Sequence, residues 1–188
     1  MDKVAQATCS IIMKHGIQGL SYSRLARSSG VSRSWLYKYI GNKKDDLIKF
    51  AADYYGRAFS RLEKPSYDYT TKKQWVEDRL ETMDALLRDA VEFPWIVPLY
   101  FKYRFTENVL GKQIRDIETM VIKKASREIQ KTFKVDKRSA DFVSEMLVAF
   151  RMGVAYRWST LQMHKRVPKS VVLKNIGRWI KLTSNVNK

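Results

Sequence analysis

The stretch SSGVSRSWLYKYIGNKK, Ser28 to Lys44, sets Arg33, Lys38, Lys43 and Lys44 among Ser32, Ser34, Trp35, Tyr37 and Tyr39. Guanidinium and ammonium groups beside hydroxyls and flat rings suit one chemistry: holding phosphate and touching base edges. No Ser-His-Asp set, paired carboxylates or glycine-rich phosphate loop stands out anywhere in the chain, so no enzymatic activity is expected. His15 and His164 fall at helix ends, each without a second ligand at metal spacing, and are expected to be surface or capping residues; no metal and no cofactor is expected. Cys9 is the single cysteine, set among apolar residues, and is expected to be a buried spectator in a reducing compartment.

These side chains need a scaffold, and the local sequence supplies one. Ser21 can cap a short helix running to Ser29, with Leu25 and Ala26 turned inward. Gly30 permits a left-handed turn. Ser32 can then cap a third helix carrying Trp35, Leu36 and Tyr39. With Val31 and Leu36 facing inward and Tyr39 assigned to packing between helices, Arg33, Ser34, Tyr37 and Lys38 face outward, with Trp35 near the helix start. The spacing is that of a helix-turn-helix whose second helix fits the major groove of duplex DNA.

Helical periodicity continues beyond this unit. Elements are expected over an N-terminal helix ending at His15-Gly16, then about Lys43–Leu62, Lys72–Glu92, Trp95–Phe105, Lys112–Phe133, Lys137–Met163 and Lys169–Thr183. Pro94, Gly111, Val135-Asp136 and Pro168 punctuate the later ones. No alternating strand pattern survives, so the expected class is all-α with nine helices. The best break in periodicity is KPSYDYTT, Lys64–Thr71. Residues 1–48 are expected to form the DNA-binding domain and 49–188 a larger helical domain. At 188 residues and 45% hydrophobic composition the chain can bury a sizeable core. No run approaches the ~20 apolar residues of a membrane span, and no leader is recognisable, so a cytoplasmic location is expected. The net charge of +17 favours polyanions. Residues 1–60 hold ten Lys/Arg against four Asp/Glu, a net of +6, which leaves +11 for the remainder.

GIQGLSYSRLARSSGVSRSWLYKYIGNKKDDL resembles the DNA-binding region of the TetR family of transcriptional regulators. The resemblance rests on Gly16, Ser21, Leu25-Ala26, Gly30-Val31-Ser32, Leu36-Tyr37, Tyr39-Ile40 and Asn42-Lys43, and it covers roughly residues 4–50. It implies phosphate or groove-edge contacts for Tyr22 and Ser23, base contacts for Arg33, Ser34 and Trp35, and phosphate or flanking-base contacts for Tyr37 and Lys38. Ser32 belongs to the same DNA-facing set. Lys43 would meet phosphate, with Lys44 interchangeable, because Asp46 replaces the family's usual leucine and would rotate the fourth helix or start it one residue later. Trp35 replaces a usually small residue.

The resemblance further implies a near-palindromic operator, a homodimer, and repression relieved by a small hydrophobic or amphipathic molecule. For the effector pocket the aromatic-rich FPWIVPLYFKYRF suggests Trp95, Tyr100, Tyr103 and Arg104, joined by Phe150 and Arg151. Arg104, Arg151 and Arg157 could face an anionic ligand or pair with protein carboxylates such as Glu145. The last two helices carry apolar residues on more than one face. Val143, Leu147, Val154, Trp158, Ile176 and Trp179 are expected at a four-helix dimer interface. The other reading is a DNA-bound interaction protein whose second half binds a protein and no inducer.

Overall fold

In the computed structural model, which describes residues 2–60, 69 and 71–184, the chain is all-helical. Nine α-helices stand among the described residues: α1 Asp2–His15, α2 Tyr22–Ser29, α3 Arg33–Tyr39, α4 Lys44–Ser60, α5 Lys72–Glu92, α6 Ile96–Tyr103, α7 Val109–Phe133, α8 Lys137–Ser159 and α9 Lys169–Ser184. Short 3-10 turns occupy Ile17–Gly19 and Met163–Lys165. The expected boundary at Lys64–Thr71 lies outside the described residues except for Tyr69 and Thr71, as does the expected end of the fourth helix at Leu62.

The helices gather into two compact units, residues 1–63 with 98–118, and 64–97 with 119–188. In the first, α1 packs on α4 and α2, and α2 on α3. Val4, Ala5, Ile11 and Ile12 of α1 are buried with Leu25, Leu36, Leu47 and Ile48. Each large aliphatic chain so buried stabilises the unit by ~1.5–3 kcal/mol before entropy is counted. Cys9 lies in this core, and burial pushes its thiol up to about 12. Thr8 is fully buried but satisfied, its hydroxyl donating to the Val4 carbonyl at 2.8 Å.

In the second unit α8 and α9 both pack on α5. Gly177 lets α9 approach Leu80, whose Cδ1 lies 3.1 Å from where a Cβ would stand. Lys169 reaches Asp84 at 2.6 Å. Thr71 and Gln74 form a reciprocal capping box at the start of α5, and Asp136 caps α8 by accepting the Ser139 N–H at 3.0 Å.

Three helices differ at their ends from expectation. Gly111 does not punctuate; it sits in the first turn of α7, which begins at Val109 because the Asn108 side chain accepts the Gly111 N–H at 3.0 Å. Helix α8 stops at Ser159, short of Met163. Gln162 turns left-handed at φ 55°, and His164 Nδ1 donates to the Trp158 carbonyl at 2.7 Å, so the histidine caps the helix it follows. Helix α6 is shorter than Trp95–Phe105, covering Ile96–Tyr103, and Thr106 caps its end by donating to the Tyr103 carbonyl at 2.7 Å.

Candidate nucleic-acid interface

The first unit builds its outer surface from three short elements, each held at both ends. The Ser21 hydroxyl accepts the Arg24 N–H at 3.3 Å, and Arg24 Nη1 donates to the Gly19 carbonyl at 2.8 Å, tying the start of α2 to the turn before it. Gly30 ends α2 at φ 74°, ψ 16°, a left-handed conformation open to glycine at little cost. The Ser32 hydroxyl accepts the Trp35 N–H at 3.1 Å and opens α3. Leu36 is fully buried beneath α3 and sets its rotation.

That rotation leaves Arg33, Ser34, Tyr37 and Lys38 exposed, as the spacing predicts. Ser32 and Ser23 are exposed beside them, and Arg33 Nη1 lies 3.4 Å from the Ser23 hydroxyl. A guanidinium loosely tethered to a solvent-facing hydroxyl is available to a nucleic-acid acceptor. Trp35 is half-buried, its ring 5.0 Å from that of Tyr39. Here the reading of Tyr39 needs correction. It is 53% exposed and does not pack between helices, because α3 is only seven residues long and Tyr39 follows Trp35 by four positions, on the same outer face. Lys38 Nζ stands 5.1 Å above the Tyr39 ring.

Tyr22 also departs from expectation. Its ring lies 4.6 Å from that of Tyr37, but its hydroxyl donates to the chain itself, 2.8 Å from the Gly41 carbonyl and 2.9 Å from the Lys43 carbonyl. The phenol proton is thereby held by backbone carbonyls of the turn before α4. Burial raises its pKa, and the nearby Asp46 charge and Tyr37 push the same way. The same turn explains Asp46. Its carboxylate accepts the Lys43 N–H at 3.0 Å, a cap from the third residue of α4 back onto the residue before the helix. Helix α4 therefore begins at Lys44, one residue later than Lys43. Gly41, at φ 141°, has no room for a Cβ because the Asp46 side chain fills that space. Lys43 is exposed at the positive end of α4, and Lys44 is half-buried inside its first turn.

The six residues expected to line an effector pocket are divided between the units. In the first, Arg104 Nε donates to Glu118 at 2.7 Å and the Tyr100 hydroxyl donates to the other oxygen of the same carboxylate at 2.8 Å. The hydrogen bond it donates to Glu118 raises the Arg104 pKa against the effect of burial, while burial, then Glu118, raises that of Tyr100. Both polar handles are thus occupied by a protein carboxylate, and it is Glu118 rather than Glu145. Tyr103 is buried. Arg115, unremarked in the sequence, donates to the carbonyls of Arg104 and Thr106 at 3.0 and 2.8 Å and closes the α6–α7 corner. In the second unit Trp95 is half-buried, its ring 6.0 Å from that of Phe93. Phe150 stacks on Trp179 at 4.7 Å, so its ring belongs with the α8–α9 surface, and Arg151 is half-buried.

On that surface Val143 and Trp179 are each 41% exposed, and Leu147 and Val154 are half-buried. Trp158 and Ile176 must be withdrawn from an exposed face, since their own chain already covers them to 5% and 6% exposure. Phe142 and Met146 are the more exposed apolar neighbours. Among the described residues no group of His, Cys, Asp or Glu could hold a metal ion, and no helix is long and apolar enough to cross a membrane.

No family model matches the chain, and no curated protein matches it. Solved structures do. A TetR transcriptional regulator from Legionella pneumophila superposes with a TM-score of 0.69 at 12% identity, over 96% of this chain and 95% of that one. The fatty acid degradation regulator FadR from Bacillus halodurans gives 0.68 at 14% identity, over 95% and 96%. FadR from Bacillus subtilis, solved in complex with stearoyl-CoA, gives 0.65 at 14% identity, over 95% and 96%. Near-complete coverage of both chains, together with the capped α2–turn–α3 surface, assigns the chain the fold of the TetR-family regulators.

Proposed function

We propose that the chain is a TetR-family transcriptional regulator that binds a near-palindromic DNA operator through α3 of two protomers and leaves it when a small hydrophobic or amphipathic ligand binds. The observation that carries the reading is the α3 face. Arg33, Ser34, Tyr37 and Lys38 point to solvent from a helix whose rotation Leu36 sets and whose start Ser32 caps. Such a helix enters the major groove with its first residues at base edges. Lys43 adds a phosphate contact at the start of α4, with Ser23 and Trp35 at the edge of the footprint. Residues 1–48 hold the reading surface, and residues 49–188 provide the effector and pairing functions.

The ligand part of the reading is supported by likeness to FadR, whose structure holds stearoyl-CoA. A ligand acts by preferring the conformation that does not fit the operator. With Arg104 and Tyr100 engaged by Glu118, a ligand would be held chiefly by apolar contacts. Pairing is supported by Phe142, Val143, Met146 and Trp179, apolar side chains left open to solvent on α8 and α9.

Selection of a bound site from random duplexes supplies the operator. Arg33→Ala then weakens operator binding by ~1–3 kcal/mol if the residue reads a guanine, whereas Lys43→Ala weakens binding to all sequences and lowers the salt slope by ~1. Equal affinity of wild type and both variants, measured by fluorescence anisotropy, would remove α3 from the reading role. Release of the operator by a series of fatty acyl-CoA thioesters tests the effector; operator affinity unmoved by any of them argues against this ligand class.

A further inference from the structure

Helix α3 presents three strips, because residues four apart share a side of a helix. Arg33 and Tyr37 form the first and lean on α2, with Arg33 Nη1 3.4 Å from the Ser23 hydroxyl and the Tyr37 ring 4.6 Å from that of Tyr22. Ser34 and Lys38 form the second, opposite the buried Leu36. Trp35 and Tyr39 form the third, their ring centroids 5.0 Å apart and their planes tilted by 42°. The first two strips offer hydrogen-bond donors and positive charge. The third offers chiefly ring carbon.

Two observations set the third strip apart from ordinary packing. Tyr39 is 53% exposed, so the ring pair stands at the surface and not in the core. Trp35 is half-buried, the third residue of α3, and its N–H donates to the capping Ser32 hydroxyl at 3.1 Å. Its backbone is thus fixed by the cap, and its ring is braced by Tyr39. The first residues of a helix lying in the major groove are those that reach base edges. Tyr39, a turn later, lies farther from them. Lys38 Nζ stands 5.1 Å from the centre of the Tyr39 ring, which brings a cation to the end of the strip.

We propose that Trp35, braced by Tyr39, reads the 5-methyl group of a pyrimidine in the major groove. Most of what a base pair shows there is a donor or an acceptor. The thymine methyl is the apolar exception, and apolar side chains meet it. 5-Methylcytosine carries the same group at the same ring position. Covering that methyl with ring carbon takes both surfaces out of water. Trp35 is the specificity-determining residue, and Tyr39 is a positioning residue that acts through it. The proposal rests on the reading of α3 as the helix that enters the groove, and goes beyond it by naming the base feature that the aromatic strip selects. The competing use of such rings is to stack an unpaired base, but the Tyr39 ring already has Trp35 and Lys38 against it.

The test uses the full chain and the operator selected from random duplexes. Each thymine is replaced by uracil and each cytosine by 5-methylcytosine, one position at a time, and affinity is read by fluorescence anisotropy. At the position facing Trp35, removing the methyl from one half-site should weaken binding by about fourfold, and from both by about fifteenfold. Trp35→Ser should bind the thymine and uracil duplexes alike, whereas Arg33→Ala should weaken both and keep the ratio between them. Tyr39→Ala should bring the ratio towards one, and Tyr39→Phe, which keeps the ring, should restore it. A loss at uracil assigns the methyl to thymine, and a gain at 5-methylcytosine alone assigns it to a methylated cytosine. The absence of both overturns the proposal while the selected operator, and with it the reading of α3, still stands. A ratio unchanged in Trp35→Ser overturns it as well. Should Trp35→Ser fail to fold by circular dichroism, the exposed Tyr39 decides alone, and an unchanged ratio in Tyr39→Ala overturns the proposal. Selection that returns no preferred sequence removes the reading of α3 and the proposal together. Tighter binding of the separated strands than of the duplex overturns it in favour of base stacking.

Discussion

Tyr22 has the side chain of a phosphate contact and the position of a strut. Its hydroxyl spans to the carbonyls of Gly41 and Lys43, while its ring meets Tyr37. Tyr22→Phe keeps the ring and removes the tether. We expect a loss of ~1 kcal/mol in unfolding free energy, the usual net worth of one intramolecular hydrogen bond, read by urea denaturation. Operator affinity should fall with it, because the turn bearing Lys43 loosens. If the phenol instead met phosphate, the variant would lose DNA affinity and keep its full stability. The sequence displays Tyr22 as a polar aromatic at a helix start, which is equally the signature of either role. Only the closure of the α3–α4 turn, distant by about two helices along the chain, decides between them.

At the scale of elements, the two glycines at Gly111 and Gly153 look alike in the sequence and differ in the fold. A Cβ on Gly111 would strike the carbonyl oxygens of Tyr103 and Thr106, backbone atoms that cannot rotate away. A Cβ on Gly153 would meet nothing within 4 Å. Gly111→Ala should therefore destabilise the protein by ~1–3 kcal/mol through overpacking at the α6–α7 corner. Gly153→Ala should stabilise α8 by ~0.5–1 kcal/mol, since alanine loses less backbone entropy in a helix interior. Thermal or urea denaturation of the pair checks both signs; equal effects would mean that the corner relaxes. The glycine read as punctuation is thus a close-approach residue, and what marks the true start of α7 is Asn108.

For the whole molecule the testable element is pairing. In the proposed dimer the shared surface is the exposed set on α8 and α9, not the residues that the chain buries by itself. Val143→Glu with Trp179→Glu places charge at two positions that are each 41% exposed in the single chain. The folded protomer should tolerate both changes, and the dimer should not. Light scattering should report monomers, circular dichroism an unchanged helix content, and anisotropy a loss of operator binding, since one reading head makes too few contacts alone. A double variant that remains dimeric places the interface on another surface.

The helices, their caps at Ser21 and Ser32, the left-handed turn at Gly30, the break at Val135-Asp136 and the outward placing of Arg33, Ser34, Tyr37 and Lys38 were legible in the sequence. All of these are set by residues within a few positions of one another, where capping chemistry and period-3.6 patterning act. Leu36 inward and Lys38 outward follow from spacing alone. The tertiary structure decided matters that depend on what lies opposite. The Tyr22 hydroxyl meets the Gly41 carbonyl, Arg104 meets Glu118, and Trp158 and Ile176 are covered while Phe142 and Met146 are not. Arginine, tyrosine and tryptophan each carry an apolar body and a polar end, so their sequence neighbours do not say which end is satisfied, or by whom. Periodicity can mark a helix as apolar on two faces, but only the packing of α8 and α9 on α5 determines which face remains exposed.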